Sequence, residues 1–211
     1  MARHPKARSR RPRGRPRSDD RRSELVGIAY RLIAEKGLEG LRTREIAAAA
    51  GIDTGTLHYH FPSKESLIRA VVDQLAASFQ INRARSGREP AGAHEEVTNE
   101  ILDAALRARE SPDQIRVMFD LRVRGARDRA VAAILGKLDQ GWDAHLVSLM
   151  NRCAELGILR PDVRPATAAL MLKTALAGLG FIGLTEPERI DEAAAAWCRH
   201  LEGWLFEPAV E

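Results

Sequence analysis

Apolar side chains recur through most of the chain at intervals of three and four residues, the spacing that lines one face of an α-helix. The first such run extends from Leu25 to Ile33 and follows a Ser-Asp-Asp segment that suits a helix N-terminus. Gly37 is then expected as the left-handed residue that ends this helix. Because no segment alternates like a β-strand, the pattern predicts an all-α protein.

Three shorter apolar runs follow the first helix. We predict a second helix with Thr43 as its N-cap, a third that Asp53 or Thr54 caps, and a fourth that begins at Lys64. Gly51 separates the second helix from the third, in the tight connection that is typical of a helix-turn-helix. We therefore expect a three-helix, helix-turn-helix domain at residues 18–66.

The rest of the chain, residues 67–211, keeps the helical pattern after a linker at residues 86–92. We expect helices near residues 93–110, 112–124, 126–156, 163–184 and 187–206, with prolines and Gly157 at the joints. The predicted architecture is an N-terminal helix-turn-helix domain followed by a larger C-terminal helical domain.

Charge is divided unevenly along the chain. Residues 1–22 hold ten of the 33 Lys and Arg residues and two acidic ones, so this segment carries +8 while the whole chain carries +4. The remainder is mildly acidic, which argues against a general coat for nucleic acid. Residues 1–17 are rich in Arg, Pro, Gly and Ser, and we expect a disordered basic arm there.

Two further properties bear on the location of the protein. Cys153 and Cys198 lie in apolar helical runs, where buried thiols are expected. The longest uncharged apolar run, residues 174–184, is too short to span a membrane, and the basic N-terminus lacks the apolar segment of a signal peptide. We expect a cytoplasmic protein with no membrane partner.

The third predicted helix carries hydroxyl and imidazole groups that suit phosphates and base edges. Gly55 would let its backbone approach DNA closely, and Lys64 would suit a flanking phosphate. A His-x-His pair on a helix points to two faces, so we expect no metal site here. The residues expected to face outward are Thr54, Gly55, Thr56, Tyr59 and His60, with His58 between them.

Residues 22–72, about a quarter of the chain, resemble the TetR family of transcriptional repressors. The length and the helical remainder also suit that family. The resemblance implies a homodimeric, ligand-responsive repressor of a palindromic operator in double-stranded DNA, although the sequence does not decide between repression and activation. It rests on Ala34-Glu35-Lys36-Gly37, Thr43-Arg44-x-Ile46-Ala47-x-x-Ala50-Gly51-Ile52, Gly55-Thr56-Leu57-x-x-His60-Phe61 and Lys64-Glu65-x-Leu67.

The resemblance also implies residue roles: Arg44 would reach toward a guanine, and Thr43 and Lys64 would contact phosphates. Two positions depart from the family pattern. Asp53 stands where Ser or Thr is usual and brings a negative charge toward DNA, and His58 stands where Tyr is usual, so its contact would depend on pH. The implied DNA-contacting residues are Thr43, Arg44, Thr54, Gly55, Thr56, His58, Tyr59, His60 and Lys64.

The basic arm contains Pro12-Arg13-Gly14-Arg15-Pro16, which matches an AT-hook core. Such a segment lies extended in the narrow, strongly negative minor groove of A·T-rich DNA, where Arg13 and Arg15 would insert. Diffuse attraction of the arm to phosphates is the alternative. Either mode would add affinity that falls steeply with salt.

The C-terminal domain is expected to serve dimerisation and ligand binding. Residues 166–184 and 193–206 combine small side chains with Leu, Phe and Trp, which favours close pairing with their copies in a homodimer, although closure of the monomer core is the alternative. A Met-rich and aromatic lining would suit a small, mostly apolar effector, or plain core. The candidate lining residues are Met118, Phe119, Arg122, Trp142, His145, Leu149, Met150, Met171 and Thr174.

Enzymatic function is not expected. The chain lacks a phosphate-binding glycine loop, a His-Glu-x-x-His or Gly-x-Ser-x-Gly motif and a cysteine cluster, and no cofactor is predicted. His94, His145 and His200 are scattered and have no evident partners. An architectural DNA protein remains the alternative that the basic arm favours.

Overall fold

The fold is all-α, as predicted. A computed structural model describes residues 18–85 and 90–206, so the predicted arm with Arg13 and Arg15 lies outside the described residues. Three-residue 3-10 turns at Leu38–Gly40 and Pro187–Arg189 interrupt the helices. The α-helices in the described ranges are α1 Ser18–Lys36, α2 Thr43–Ala49, α3 Thr54–His60, α4 Lys64–Arg85, α5 Ala93–Glu110, α6 Pro112–Gly125, α7 Arg129–Glu155, α8 Pro165–Thr185 and α9 Ile190–Leu205.

Helix ends follow local capping chemistry. The helix predicted at residues 126–156 begins instead at Arg129, because the Asp128 carboxylate accepts the amide hydrogens of Ala130 and Val131 at 3.0 and 3.4 Å. The prediction that Thr43 caps α2 is wrong. Arg42 is the extended residue before the helix, and its carbonyl already accepts the first helical hydrogen bonds, so Thr43 lies within the first turn.

Two separate hydrophobic clusters form the core. The first, which we call the head cluster, joins buried residues of α1–α4 to Val117, Met118 and Leu121 of α6 and to residues 131–135 of α7. The second, the body cluster, joins α5, α8 and α9 to the C-terminal half of α7. The N-terminal helices therefore share their core with α6 and α7, and α7 contributes to both clusters.

Helix α8 is more apolar than the sequence analysis anticipated. By length and composition it could cross a membrane, but such a helix also occurs in the core of proteins that do not. One face of α8 is packed: Gly183 lies against Ala108 of α5, where any side chain would collide. The opposite face leaves Leu170 and Phe181 60% and 54% exposed. The apolar residues of α8 thus serve both a buried face and an exposed one.

Candidate nucleic-acid interface and ligand cavity

The turn between α2 and α3 is closed by Gly51. Its φ of 64° lies in the left-handed region that favours glycine, as predicted. The Gly51 amide donates to the Ala48 carbonyl at 3.2 Å, and the Ile52 amide donates to the Ala47 carbonyl at 3.0 Å. Leu57 is buried beneath the turn. These contacts fix α3 against α2 and leave one face of α3 in solvent.

Asp53 closes the N-terminus of α3 with both carboxylate oxygens. Oδ1 accepts the Thr56 amide hydrogen and Oδ2 accepts the Thr56 hydroxyl hydrogen, each at 2.8 Å. These hydrogen bonds, the Thr56 amide foremost, hold the pKa of Asp53 below its ordinary value. Of the two predicted caps, Asp53 is therefore the one used.

Glycine at position 55 protects this cap. A Cβ atom at Gly55 would lie 2.9 Å from Asp53 Oδ1, the oxygen that accepts the Thr56 amide. A side chain there would require the carboxylate to shift from this position. Gly55 therefore has a second structural reason beside the close approach of DNA that the sequence predicts.

The predicted contact residues of α3 form one surface. Thr54, Gly55, His58 and Tyr59 are exposed, and Tyr59 has 82% of its surface in solvent. Thr56 and His60 are half-buried, and the His60 ring packs edge-on against Tyr59 with centroids 5.3 Å apart. The face therefore combines an aromatic ring, imidazoles and a hydroxyl within two helical turns.

Three other predicted contact residues flank this surface. On α2, Arg44 is exposed and Thr43 is half-buried. Lys64 is exposed at the start of α4, and its ammonium donates to the Leu38 carbonyl at 3.3 Å. Since an ammonium group has three hydrogens, Lys64 still has donors to offer a phosphate.

Two arginines that the sequence analysis counted with the basic segment instead hold the ends of the short helices. Arg22 donates to the His60 carbonyl at 2.9 Å, and its guanidinium lies 4.3 Å from the centroid of the Phe61 ring. Arg21 makes a longer contact of 3.5 Å to the Ala50 carbonyl. Helix C-termini carry partial negative charge, so these cations stabilise both ends. In the sequence, the position of Arg22 one turn before the buried Leu25 is the feature that could have predicted a structural role for Arg22.

Helix α6 is tied to the loop between α1 and α2. The Leu38 amide donates to the Asp120 carboxylate, and Arg124 forms an ion pair with Glu39 at 2.6 Å. Gly37, with φ of 71°, brings this loop beside Asp120. A displacement of α6 would therefore be transmitted to the helix-turn-helix.

A cavity of about 830 Å³ opens between α4, α5, α6, α7 and α8. Five predicted lining residues do lie on it: Met118, Phe119, Arg122, Trp142 and His145. This size is within the range of small-molecule sites. The cavity lies beside the head cluster, since Val72, Met118 and Ile134 belong to both.

Four other predicted lining residues are placed elsewhere. Leu149 and Met150 lie further along α7 and are fully buried in the body cluster, and Met171 packs against that cluster. Thr174 is on the exposed side of α8, where its hydroxyl donates to the Met171 carbonyl at 2.7 Å. The rotation of α7 and α8 about their axes turns these side chains away from the cavity.

The cavity is also more polar than expected. His145 Nε2 lies 3.0 Å from Oε1 of Glu100, a carboxylate that is only 5% exposed, so the expectation that His145 lacks a partner is wrong. His94 and His200 instead pack against the rings of Phe206 and Trp204. In the described parts of the chain, no group of three or more His, Cys, Asp or Glu side chains could hold a metal ion.

Two family models match the chain in succession. The model described as "Bacterial regulatory proteins, tetR family" matches residues 26–71, and the model described as "BetI-type transcriptional repressor, C-terminal" matches residues 93–205. The first match contains α2 and α3, and the second contains α5 to α9. The second match alone spans more than half of the chain.

Individual relatives match different lengths of the chain. The repressor KstR2 of Rhodococcus jostii is 45% identical over 64 residues, which are 28% of this chain and 31% of that protein. The regulator UidR of Escherichia coli K12 is 25% identical over 153 residues, 72% of this chain and 75% of that protein. A crystal structure of a transcriptional regulator from Saccharomonospora viridis, in complex with choline, has a TM-score of 0.78 at 20% identity and covers 90% of this chain and 100% of that one.

The Asp53 cap gives a pH-dependent prediction. Because the pKa of Asp53 is lowered in the folded protein, its stabilising effect is complete above the ordinary carboxyl pKa of 3.8 and is lost as the pH falls through the folded value. Thermal unfolding should show Asp53→Ala to be less stable than wild type at pH 7, with the difference shrinking between about pH 5 and pH 3. Asp53→Ser, which keeps an uncharged cap, is the control. A difference that stays constant with pH would contradict the assignment.

Proposed function

Since the chain belongs to the TetR family of bacterial transcriptional regulators, we propose that it is a ligand-responsive repressor that binds a palindromic operator as a homodimer. Members of this family are DNA-binding regulators rather than enzymes. The observation that carries the proposal is the exposed face of α3, held by the Asp53 cap at one end and by Arg22 at the other. A helix of this width fits the major groove.

The contacts of α3 with DNA follow from its geometry. Thr54 and Gly55 at the helix start would touch bases or backbone. Thr56 gives its hydroxyl hydrogen to Asp53, so it can only accept a hydrogen bond, as from a base amino group. His58, Tyr59 and His60 would reach the phosphate backbone. Arg44 would reach a guanine from α2, with Thr43 and Lys64 on flanking phosphates.

The chain would divide into three working parts. Residues 1–17 form the basic arm, residues 18–66 the DNA-reading domain, and residues 67–211 the regulatory and dimerisation domain. The arm ends about one turn before Arg21 and Arg22, which contact the C-terminal ends of α2 and α3. Arg13 and Arg15 would therefore enter a minor groove beside the operator. The repressor would be located in the bacterial cytoplasm, because the DNA that it binds is there.

The dimer would form through α8 and α9. The exposed stripe of α8 contains Leu170, Thr174, Ala177 and Phe181, spaced by three and four residues, and on α9 Trp204 is 53% exposed. Small residues between large apolar ones allow helices to approach closely. Pairing of these faces would bury apolar surface that the monomer leaves in water.

The effector would bind in the cavity between α4 and α8. The S. viridis neighbour holds choline, which supports a small molecule as the effector of this fold. No cofactor is proposed. An effector that fits only one conformation of the regulatory domain would change the spacing of the two DNA-reading domains in the dimer. The free energy of operator binding would become less favourable by the difference between the effector's binding free energies for the two conformations.

Operator recognition is tested by fluorescence anisotropy with the DNA that flanks the gene, against a scrambled duplex, over a series of salt concentrations. We expect binding to one palindromic stretch to be at least about a hundredfold tighter than to the scrambled duplex. Tyr59→Ala should weaken operator binding by about tenfold or more, while Val123→Ala, an exposed residue of α6, should leave it unchanged. Equal, salt-sensitive binding to both duplexes would favour an architectural DNA protein.

The dimer interface is tested by introducing a charge on the exposed stripe. Phe181→Glu and Trp204→Glu should shift the protein to monomers in sedimentation velocity, because each buries an unpaired carboxylate at the interface. Val123→Glu is the matched control, since Val123 is 61% exposed on α6 and should tolerate the charge. Dimers that persist in both α8 and α9 variants would refute this interface.

The arm is tested by a charge-matched pair of variants. Arg13→Ala/Arg15→Ala and Arg8→Ala/Arg10→Ala each remove two positive charges. If Arg13 and Arg15 insert into the minor groove, the first variant should lose at least about threefold more affinity on an operator with A·T flanks than on one with G·C flanks. The second should lose the same on both. Equal losses for both variants on both flanks would indicate diffuse attraction to phosphates.

A further inference from the structure

Cationic side chains outnumber acidic ones in the cavity lining. Each of the five helices around the cavity contributes one cation, whereas Asp73 and Glu100 are the acidic residues among the described lining. Glu100 is already engaged by His145. A lining of this composition attracts an anion more than a cation. The five cations are Arg69, Arg107, Arg122, Lys137 and Lys173.

Two of these cations have no ion-pair partner among the described residues. Arg122 is held by Asp139 through hydrogen bonds of 2.6 and 3.3 Å, and Lys173 is held by Asp143 at 2.5 Å. No acidic group of residues 18–85 and 90–206 lies within ion-pair distance of Arg69 or Lys137, although Asp73 follows Arg69 by one helical turn.

Two aromatic residues of the described lining, Trp142 and Phe79, already face cations of the chain. The Lys173 ammonium lies 5.8 Å from the centroid of Trp142, and the Arg107 guanidinium lies 5.7 Å from the centroid of Phe79. A quaternary ammonium ligand is normally held by free aromatic faces and carboxylates. In this cavity it would have to compete with the protein's own cations, so the lining disfavours such a ligand.

The rest of the lining is apolar. Met118, Phe119, Ile134, Leu138 and Leu176 contribute hydrocarbon and aromatic surface. Ile134 belongs to the head cluster and Leu138 packs against it. The unpaired cation Lys137 lies between Ile134 and Leu138 on α7, so the polar and apolar parts of the site adjoin one another.

We propose that the cavity binds an amphipathic anion, with a carboxylate or phosphate headgroup at Arg69 and Lys137 and its hydrocarbon part against Met118, Phe119 and Leu176. This inference rests on the proposed function, because it names the class of effector. It also explains how binding of the effector would change the position of the DNA-reading helix. Arg69 is on α4, which begins directly after α3 and Phe61, so a headgroup that draws Arg69 toward Lys137 pulls on the helix that adjoins the DNA-reading helix.

The ligand class is tested by isothermal titration of the full-length protein with four probes that share a ten-carbon chain: decanoate, decyl phosphate, decanol and decyltrimethylammonium. Decanoate and decyl phosphate should each bind at least about tenfold tighter than decanol and the ammonium compound. Whichever of the two anions binds tighter identifies the headgroup. Equal binding of all four probes, preference for the ammonium compound, or absence of binding by all four would overturn the proposal.

Variants locate the headgroup. Arg69→Gln and Lys137→Gln should each weaken decanoate binding by about tenfold and leave decanol binding unchanged, because only the charged hydrogen bond is removed. Arg127→Gln and Arg129→Gln are controls, since both cations are exposed, Arg127 on the turn after α6 and Arg129 at the first residue of α7, and neither lines the cavity. An equal loss of decanoate affinity in the control variants would overturn the assignment of the headgroup to Arg69 and Lys137.

Operator affinity is measured both without and with decanoate, so that failure of this inference can be told from failure of the proposed function. Failure of the ligand-free protein to bind any operator would overturn the proposed function, whatever the probes do. Tight operator binding that decanoate weakens supports both. Headgroup-dependent binding of decanoate that leaves operator affinity unchanged would support the ligand class and overturn its role as effector.

Discussion

Within the described residues, the helices that would read DNA share one hydrophobic cluster with α6 and α7 and form no separate core of their own. Leu25, Leu57 and Val71 are packed in the same cluster as Val117 and Leu121, and each of these side chains is almost completely removed from solvent. Burial of apolar surface is the main stabilising contribution to such a domain. Val72, Met118 and Ile134 of this same cluster also line the cavity, so the core that supports α3 forms one wall of the cavity.

Polar contacts further fix the small helices on that shared core. Asp120 and Arg124 join α6 to the loop before α2, while Arg22 joins α1 to the end of α3. These contacts are directional, so they resist rotation of the small helices, which apolar packing alone permits. A ligand that pulls on α4 would thus move the DNA-reading helices along with it. Its effect on DNA binding would come from the changed position of these helices within the dimer.

Local features of the fold could be predicted from the sequence, and relations between distant helices could not. The ends of α5 and α6 and the left-handed turns at Gly37 and Gly51 depend on neighbouring residues, and the expectations for them are confirmed. Helical spacing does not tell which neighbour a face meets, so Leu149, which is predicted at the cavity, is buried in the body cluster instead. The pairing of His145 with Glu100, 45 residues earlier, is equally invisible to local patterns.

Amide hydrogen exchange of two matched variants tests whether the DNA-reading helices and α6 share one core. Val117 and Val97 are both buried valines, the first in the head cluster and the second in the body cluster. Val117→Ala should accelerate exchange in α1 and α4 as much as in α6, while Val97→Ala should accelerate it in α5 and α8 and leave α1 unchanged. Unaltered protection of α1 in Val117→Ala would contradict the account.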